Sequence, residues 1–342
     1  MKNLVKRKIN EQIAEFLYSV SRKDNLAIIY DDDVDGLVSA ALTKFALERM
    51  NVPFSQIVIV KKPFQKFLLK FKKNKKIIIL DTPSAYDVKY PKTHQIFIID
   101  HHPPKKLTKN VLILNPRFEK KRVYQPVAYL TYKLFSQFIK LKDKEWLSVV
   151  GTITDFGFKD CMDLLWPYIK TKDSSKMWKN KYGKAGMMLD SAIGIIGFEN
   201  TMKTILESRS VEDLINNKKI RMAHQKFERQ LKLGKKEFWK NAEQHGKVIF
   251  SILPEKYEML SKVLVFLVSS KNPDKIIFMI LKKKKMYRVH ARYQDAKVNL
   301  GILLKKCCDI RGGGHEPAAG GSFTSFEIFK TKILRELDNF TR

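Results

Sequence analysis

Short apolar runs recur along the first third of the chain, and several end directly on acids. Leu26-Ala27-Ile28-Ile29-Tyr30 runs into Asp31, Asp32, Asp33 and Asp35, Ile77-Ile78-Ile79-Leu80 into Asp81, and Ile96-Phe97-Ile98-Ile99 into Asp100-His101-His102. Runs of this length, rich in β-branched residues and without polar alternation, read as strands covered on both faces. Strands are expected at 26–30, at 57–60 and around Ile77, Ile96 and Val111. Helical spacing is expected before Lys23 and over 37–50, 127–140 and 145–153. The alternation predicts an α/β fold with a parallel-sheet N-terminal domain.

Further along, the pattern turns helical up to about His245 and includes the long amphipathic stretch 220–244, which reads as a connector. Strands then follow at 248–253, 276–281 and 287–291, with a helix near 299–308, a glycine-rich loop and a closing helix at 326–337. The expected organisation is a first domain over 1–190, a helical connector over 191–245 and a smaller α/β domain over 246–342. The two lobes would form the jaws of an active-site cleft. Residues 166–182, polar and lysine-rich without clear period, read as an exposed loop. There is no internal repeat.

The acids carry the chemistry. In an open α/β sheet the carboxyl ends of the strands face one crevice, so Asp31, Asp33, Asp35, Asp81 and the Asp100-His101-His102 triplet would converge there. Asp155, in Gly151-Thr152-Ile153-Thr154-Asp155, follows the same grammar. Taken singly, each has a plainer reading: Asp after a strand is commonly a helix cap, Asp35-Gly36 a turn, and paired histidines surface residues. Their occurrence in this order, each after apolar sequence, favours a site. So many carboxylates exceed what one cation neutralises, and without cations they would force one another to protonate. Hard oxygen ligands with imidazole suit two Mn²⁺ or Mg²⁺ ions. A pair about 3.5–4 Å apart is the arrangement that serves phosphoester displacement.

Tyr30-Asp31-Asp32-Asp33-Val34-Asp35-Gly36, Asp81, Asp100-His101-His102-Pro103 and Asp155 together resemble the sequence motifs of the DHH phosphoesterases. Arg311-Gly312-Gly313-Gly314-His315 resembles the GGGH element of the C-terminal domain associated with that family. The resemblance implies that Asp31, Asp33 and Asp81 hold one ion and that Asp35, Asp81, His101 and Asp155 hold the second, Asp81 bridging. His102 would face the scissile phosphate and Asp100 would orient the histidines, as metal-bound imidazoles commonly require. Gly312, Gly313, Gly314 and His315 would grip phosphate or sugar, with Arg292 as a second clamp. His290 and the segment Gln125-Pro126-Val127-Ala128 depart from the usual family residues. Asp32 has no implied role.

Charge then sorts among relatives. With 66 Lys+Arg against 35 Asp+Glu, the formal net charge is +31, a surface that attracts polyanions. Basic clusters occur at Lys61-Lys62, Lys72-Lys73, Lys75-Lys76, Lys105-Lys106, Lys120-Lys121-Arg122 and Lys282 to Lys285. A lysine-rich composition alone normally brings matching glutamate, which is missing here. Aromatics near lysines, among them Phe64, Phe67, Phe71, Trp166, Tyr168, Trp178 and Tyr182, are candidates for base stacking, although most should be core. Three cysteines, Cys161 and adjacent Cys307-Cys308, fit a reducing compartment. With no membrane-length apolar run and no signal-type core after the basic start from Met1 to Asn10, a cytoplasmic location and no membrane partner are expected.

The resulting expectation is a metal-dependent phosphodiesterase resembling the archaeal RecJ-like exonucleases, degrading single-stranded DNA or RNA from an end. Replication or repair proteins are candidate partners. The alternatives are a nanoRNase or cyclic-dinucleotide phosphodiesterase and, third, a replication-factor partner with little catalysis. Asp31 at the first ligand position and the charge favour the first.

Overall fold

The computed structural model describes residues 2–105, 111–171 and 173–341; Met1 of the basic start, Lys106 of the Lys105-Lys106 pair and Lys172 within 166–182 lie outside the described residues. The chain divides into two compact units, Met1–His224 and Gln225–Arg342.

In the first unit the order is α1 (Lys2–Tyr18), β1 (Ala27–Tyr30), α2 (Val34–Arg49), β2 (Gln56–Ile59), α3 (Phe64–Leu68), β3 (Lys76–Leu80), β4 (Gln95–Ile99) and β5 (Val111–Leu114). Helices follow: α4 (Val127–Phe135), α5 (Glu145–Thr154), α6 (Met162–Ile169), α7 (Ser174–Met177), α8 (Lys181–Glu207), α9 (Val211–Asn216) and α10 (Lys218–Lys240). The strands form one parallel sheet in the order β2-β1-β3-β4-β5. Strand side chains alternate between two apolar layers, as the pleat requires. Ile28, Ile78, Phe97 and Ile99 join the larger core with residues of α1, α2, α4, α5 and α8. Ile29, Ile79 and Ile98 face Phe64, Phe67 and Phe71 on the other side. This double covering is why the strands read as unbroken apolar runs.

Register fixes where the acids fall. Tyr30 pairs with Leu80, and Leu80 with Ile99. Asp31, Asp81 and Asp100 are each the next residue, so three carboxylates start from one row at the carboxyl edge. The order reverses between β1 and β3, the place where open α/β sheets leave a crevice.

The second unit contains β6 (Ala242–His245), β7 (Val248–Pro254), α11 (Ser261–Ser270), β8 (Ile276–Lys282), β9 (Tyr287–Arg292), α12 (Leu300–Cys307), β10 (Arg311–Gly314), β11 (Ala318–Phe323) and α13 (Phe326–Thr341). They form a six-stranded mixed sheet, β10-β11-β9-β8-β7-β6, parallel only between β7 and β8. The chain passes from one unit to the other within α10. No helix among the described residues is long and apolar enough to cross a membrane.

Four expectations are corrected. The glycine-rich stretch is a strand, not a loop: Gly312 to Gly314 pair antiparallel with Gly321, Gly320 and Ala319. Two of its glycines answer to packing, since a Cβ on Gly312 would lie 2.0 Å from the Leu304 carbonyl oxygen and one on Gly314, at φ +145°, 2.6 Å from that of Ala318. Residues 166–182 are not an exposed loop but include the end of α6, all of α7 and the start of α8, with Tyr182 buried; the lysines there obscure the period. The helix expected over 127–140 stops at Phe135 and continues as tight turns (Gln137 N to Leu134 O, Phe138 N to Phe135 O). The helical connector expected to reach 245 gives way to β6, a polar edge strand with no apolar alternation to reveal it.

Gly36 is the residue on which the first acidic turn depends. A Cβ there would lie 2.7 Å from the Asp31 carbonyl oxygen and 2.9 Å from its nitrogen, so α2 starts against the backbone of β1's exit only because that position is glycine. Gly36→Ala is expected to cost about 1–3 kcal/mol in denaturant unfolding; an unchanged midpoint would contradict this close approach.

Candidate metal centre

Each acid is placed by a local device. Asp33 is the N-cap of α2, its side chain accepting from Gly36 N at 2.9 Å, so the capping reading and the site reading apply to one residue. Asp31 accepts from Asp32 N at 2.9 Å, and Asp32 itself is exposed. Asp35, in the first turn of α2, is buried at 1% exposure. Its two oxygens accept from Val127 N at 2.6 Å and Ala128 N at 2.9 Å, at the N-terminus of α4, where the helix dipole favours a negative charge. Gly151 of α5 allows close packing there, because a Cβ would meet Ala128 Cβ at 2.5 Å and Asp35 Oδ1 at 3.1 Å.

Asp81 takes a left-handed backbone (φ 57°) at the exit of β3. Its Oδ1 lies 3.3 Å from His101 Nε2, which lies 3.5 Å from Asp155 Oδ2. Asp81, His101 and His102 each offer a ligand atom within 4.8 Å of the others. Asp100 is fully buried and accepts from His102 N at 3.1 Å, while its Oδ1 lies 2.9 Å from His102 Nδ1. This holds the His102 ring in one orientation.

Three residues not singled out in the sequence complete the surroundings. Tyr124 donates its hydroxyl to Asp155 Oδ2 at 2.8 Å, and its ring meets the His101 ring edge-on at 4.9 Å. Asn115 donates to the His102 carbonyl and to Tyr86, both at 2.9 Å. Arg117 donates to the His101 carbonyl at 3.4 Å. Asn115 directly follows the apolar run of β5, the same signal that marked the acids; Tyr124 sits in an irregular segment and carries no such mark.

Electrostatics make the cluster a poor place for unaccompanied charge. Burial, reinforced by Asp33, Asp35, Asp155 and Asp100, holds the Asp81 carboxyl well above the usual range. Asp35 is raised well above it by burial and by Asp155 and Asp33. Burial pushes Asp155 up to about 7 despite the Tyr124 hydrogen bond, and Asp31 up to about 6 with help from Asp32 and Asp33. His101 is pulled down to about 4 by burial and by His102, so it stays neutral. For His102, burial is outweighed by the Asp100 hydrogen bond, and its value rises. Asp81 Oδ1 and His101 Nδ1 are buried without a hydrogen-bond partner. A crowded carboxylate set, a neutral imidazole and an orphaned acceptor fit a hard divalent cation.

The expected substrate residues lie in the second unit. Arg311, Gly312, Gly313, Gly320 and Gly321 line a depression of about 290 Å³ with Arg288 and His290. Arg292 is not part of it and rests over the Phe266 ring at 5.3 Å. Gly314 and His315 lie at the exposed β10–β11 turn, where His315 N donates to Ala318 O. His290 is turned inward, its Nε2 3.2 Å from Ser261 Oγ. Lys283 is tied to Glu258 at 2.7 Å, which removes it from the basic cluster at Lys282 to Lys285.

A carboxyl whose folded pKa exceeds its unfolded value adds stability at low pH and loses it as pH rises through the folded value. Chelated protein should therefore lose melting temperature as pH rises through about 6 and 7, the values of Asp31 and Asp155, and Asp155→Asn should flatten the upper part. Added Mn²⁺ should raise the melting temperature most at the alkaline end, where the repulsion is greatest. Insensitivity to both pH and metal would contradict the site.

Two family matches bracket the chain: the DHH family, N-terminal domain, over residues 25–152, and the DHHA1 domain over residues 245–342. No curated protein sequence matches. Among solved structures, the chain is similar to RecJ in complex with Mn²⁺ from Thermus thermophilus (TM-score 0.70, 15% identity, 97% of this chain and 54% of that one). It is also similar to CDC45 from Entamoeba histolytica (0.64, 10%, 96% and 98%). A third is PggH, a pGpG-specific phosphodiesterase from Vibrio cholerae (0.54, 15%, 91% and 98%). The chain thus spans about half the length of the Thermus RecJ, and at these identities the likeness is one of fold. With the acidic turn, the Asp-His-His triplet and both domain matches in sequence order, the chain belongs to the DHH family, a DHH N-terminal domain followed by a DHHA1 domain and a fold like that of RecJ exonucleases.

Proposed function

We propose that this protein is a divalent-metal phosphodiesterase that removes nucleotides from the end of single-stranded nucleic acid. The observation that carries the reading is the convergence of Asp81, His101, His102 and Asp155 in a chain of net charge +31. Asp31, Asp33, Asp35, Asp81, His101 and Asp155 would hold two Mn²⁺ or Mg²⁺ ions, which supply charge neutralisation at phosphorus and a more acidic attacking water. His102, its ring set by Asp100, would contact the scissile phosphate. Tyr124 holds the Asp155 carboxylate in orientation. In the second unit, Gly312 to Gly314, His315 and Arg292 would grip the strand, and Arg311, which lines the same depression as Gly312 and Gly313, would join them.

PggH, a pGpG-specific phosphodiesterase of similar fold, favours short substrates as the second reading. Digestion of end-labelled single-stranded DNA and RNA, from dinucleotide to long strand with Mn²⁺, separates the two; activity confined to dinucleotides would select the second. Proteins of replication or repair are proposed as partners, in a cytoplasmic setting.

Asp81→Ala should abolish hydrolysis, since the variant removes the carboxylate that would serve both ions; activity within about tenfold of wild type would contradict a two-metal centre. Asp32→Ala should do far less than Asp33→Ala, because the Asp33 side chain caps α2 and accepts from Gly36 N and would hold an ion, whereas Asp32 is given no such role.

Charge supplies a separate check. For single strands, log K falls with log salt by about 0.7 per phosphate contacted. Asp155→Ala protein binding a strand of about 20 nucleotides should show a slope of roughly −3 or steeper. Neutralising exposed Lys282, Lys284 and Lys285 should flatten it. A shallow slope, with affinity independent of length, would favour the short-substrate reading.

A further inference from the structure

The residue after Asp155 is placed against local preference. Asp155 closes α5, Phe156 N donates to Ile153 O at 3.1 Å and Gly157 N to Thr152 O at 2.9 Å. This is a Schellman ending, whose left-handed position usually holds glycine. Here that position, at φ 57°, holds Phe156, and the glycine comes one residue later. A bulky side chain in this region costs free energy relative to glycine, and such strain concentrates at functional sites.

The strained residue does not recover that cost by burial. Phe156 is 64% exposed, the most exposed of the chain's large apolar side chains among the described residues. Its ring lies 5.4 Å from Trp178 and 6.1 Å from Phe158, both of which are partly buried against the larger core. An anchored aromatic pair thus carries a third ring into solvent, directly beside a carboxylate of the candidate centre. Lys159 and Lys179, close in sequence to these rings, are exposed. Aromatic faces beside basic side chains are how single strands are held without sequence preference.

We propose that Phe156, backed by Trp178 and Phe158, is a stacking platform for a nucleobase of the strand whose phosphate reaches the Asp155 side of the centre. The inference rests on the single-strand reading above and names the part of the strand recognised. The platform grips a base, whereas the metal ligands and lysines meet only phosphate.

The test compares binding, by fluorescence anisotropy in chelator, of two oligomers of equal length, one complete and one with every base removed. Their phosphates are the same, so their affinity ratio reports base contacts. Wild type should prefer the complete strand, and Phe156→Gly should reduce that preference about tenfold, the scale of one stacked base. Phe156→Trp should retain it. Because glycine suits the backbone at this position, the melting temperature of Phe156→Gly should be unchanged or raised, which separates lost stacking from lost folding. If Phe156→Gly keeps the wild-type preference, the platform is overturned while the single-strand reading stands. If wild type binds neither oligomer, both fall.

Discussion

Mutual repulsion among carboxylates is the constraint around which the first unit is organised. Register sets Asp31, Asp81 and Asp100 in one row at the carboxyl edge of the sheet. Asp155 stands close enough to Asp35 to disfavour its ionisation, and Asp33 does the same to Asp155. Such a group persists at neutral pH only with compensating positive charge or bound protons. The chain supplies part of the compensation, through the amides of α4 at Asp35 and the hydroxyl of Tyr124 at Asp155. No amide or hydroxyl reaches Asp81 Oδ1, which is buried without a hydrogen bond and has the neutral His101 ring beside it at 3.3 Å; that is where a cation has most to contribute.

The packing serves this arrangement. Gly36 lets α2 begin against the backbone of Asp31, and Gly151 lets α5 approach α4 and α2 closely beside Asp35. Behind them, apolar strands covered on both faces hold the edge rigid, so the acids are positioned by the sheet's register instead of by long flexible loops. Asp100 directs its charge inside the protein to His102 and leaves the outward work to the histidines.

Much of this was legible in the chain because it depended on local order: an apolar run followed by an acid says both strand and edge. The parallel sheet, the helical middle and the candidate residues Asp31 to Asp155 follow from that pattern. What escaped was set by long-range packing. Tyr124 reaches Asp155 from an irregular segment, and β6 is a polar edge strand recognisable only by its partner β7. The glycines at 312 to 314 read as a loop that grips phosphate, yet they form a strand and two of them are small because backbone lies against them. Lys283 read as part of a free basic run and is engaged by Glu258. Phe156 was invisible as a feature because its significance lies in a backbone angle.

The central claim is that the crowded edge exists to hold divalent metal. Anomalous diffraction from crystals soaked in Mn²⁺ addresses it directly, since the signal locates the ion without reference to activity. The account predicts strong density within about 2.0–2.3 Å of Asp81 Oδ1 and in reach of His101 Nε2. Crystals that take up Mn²⁺ only elsewhere, or leave Asp81 without an ion at saturating metal, would contradict it.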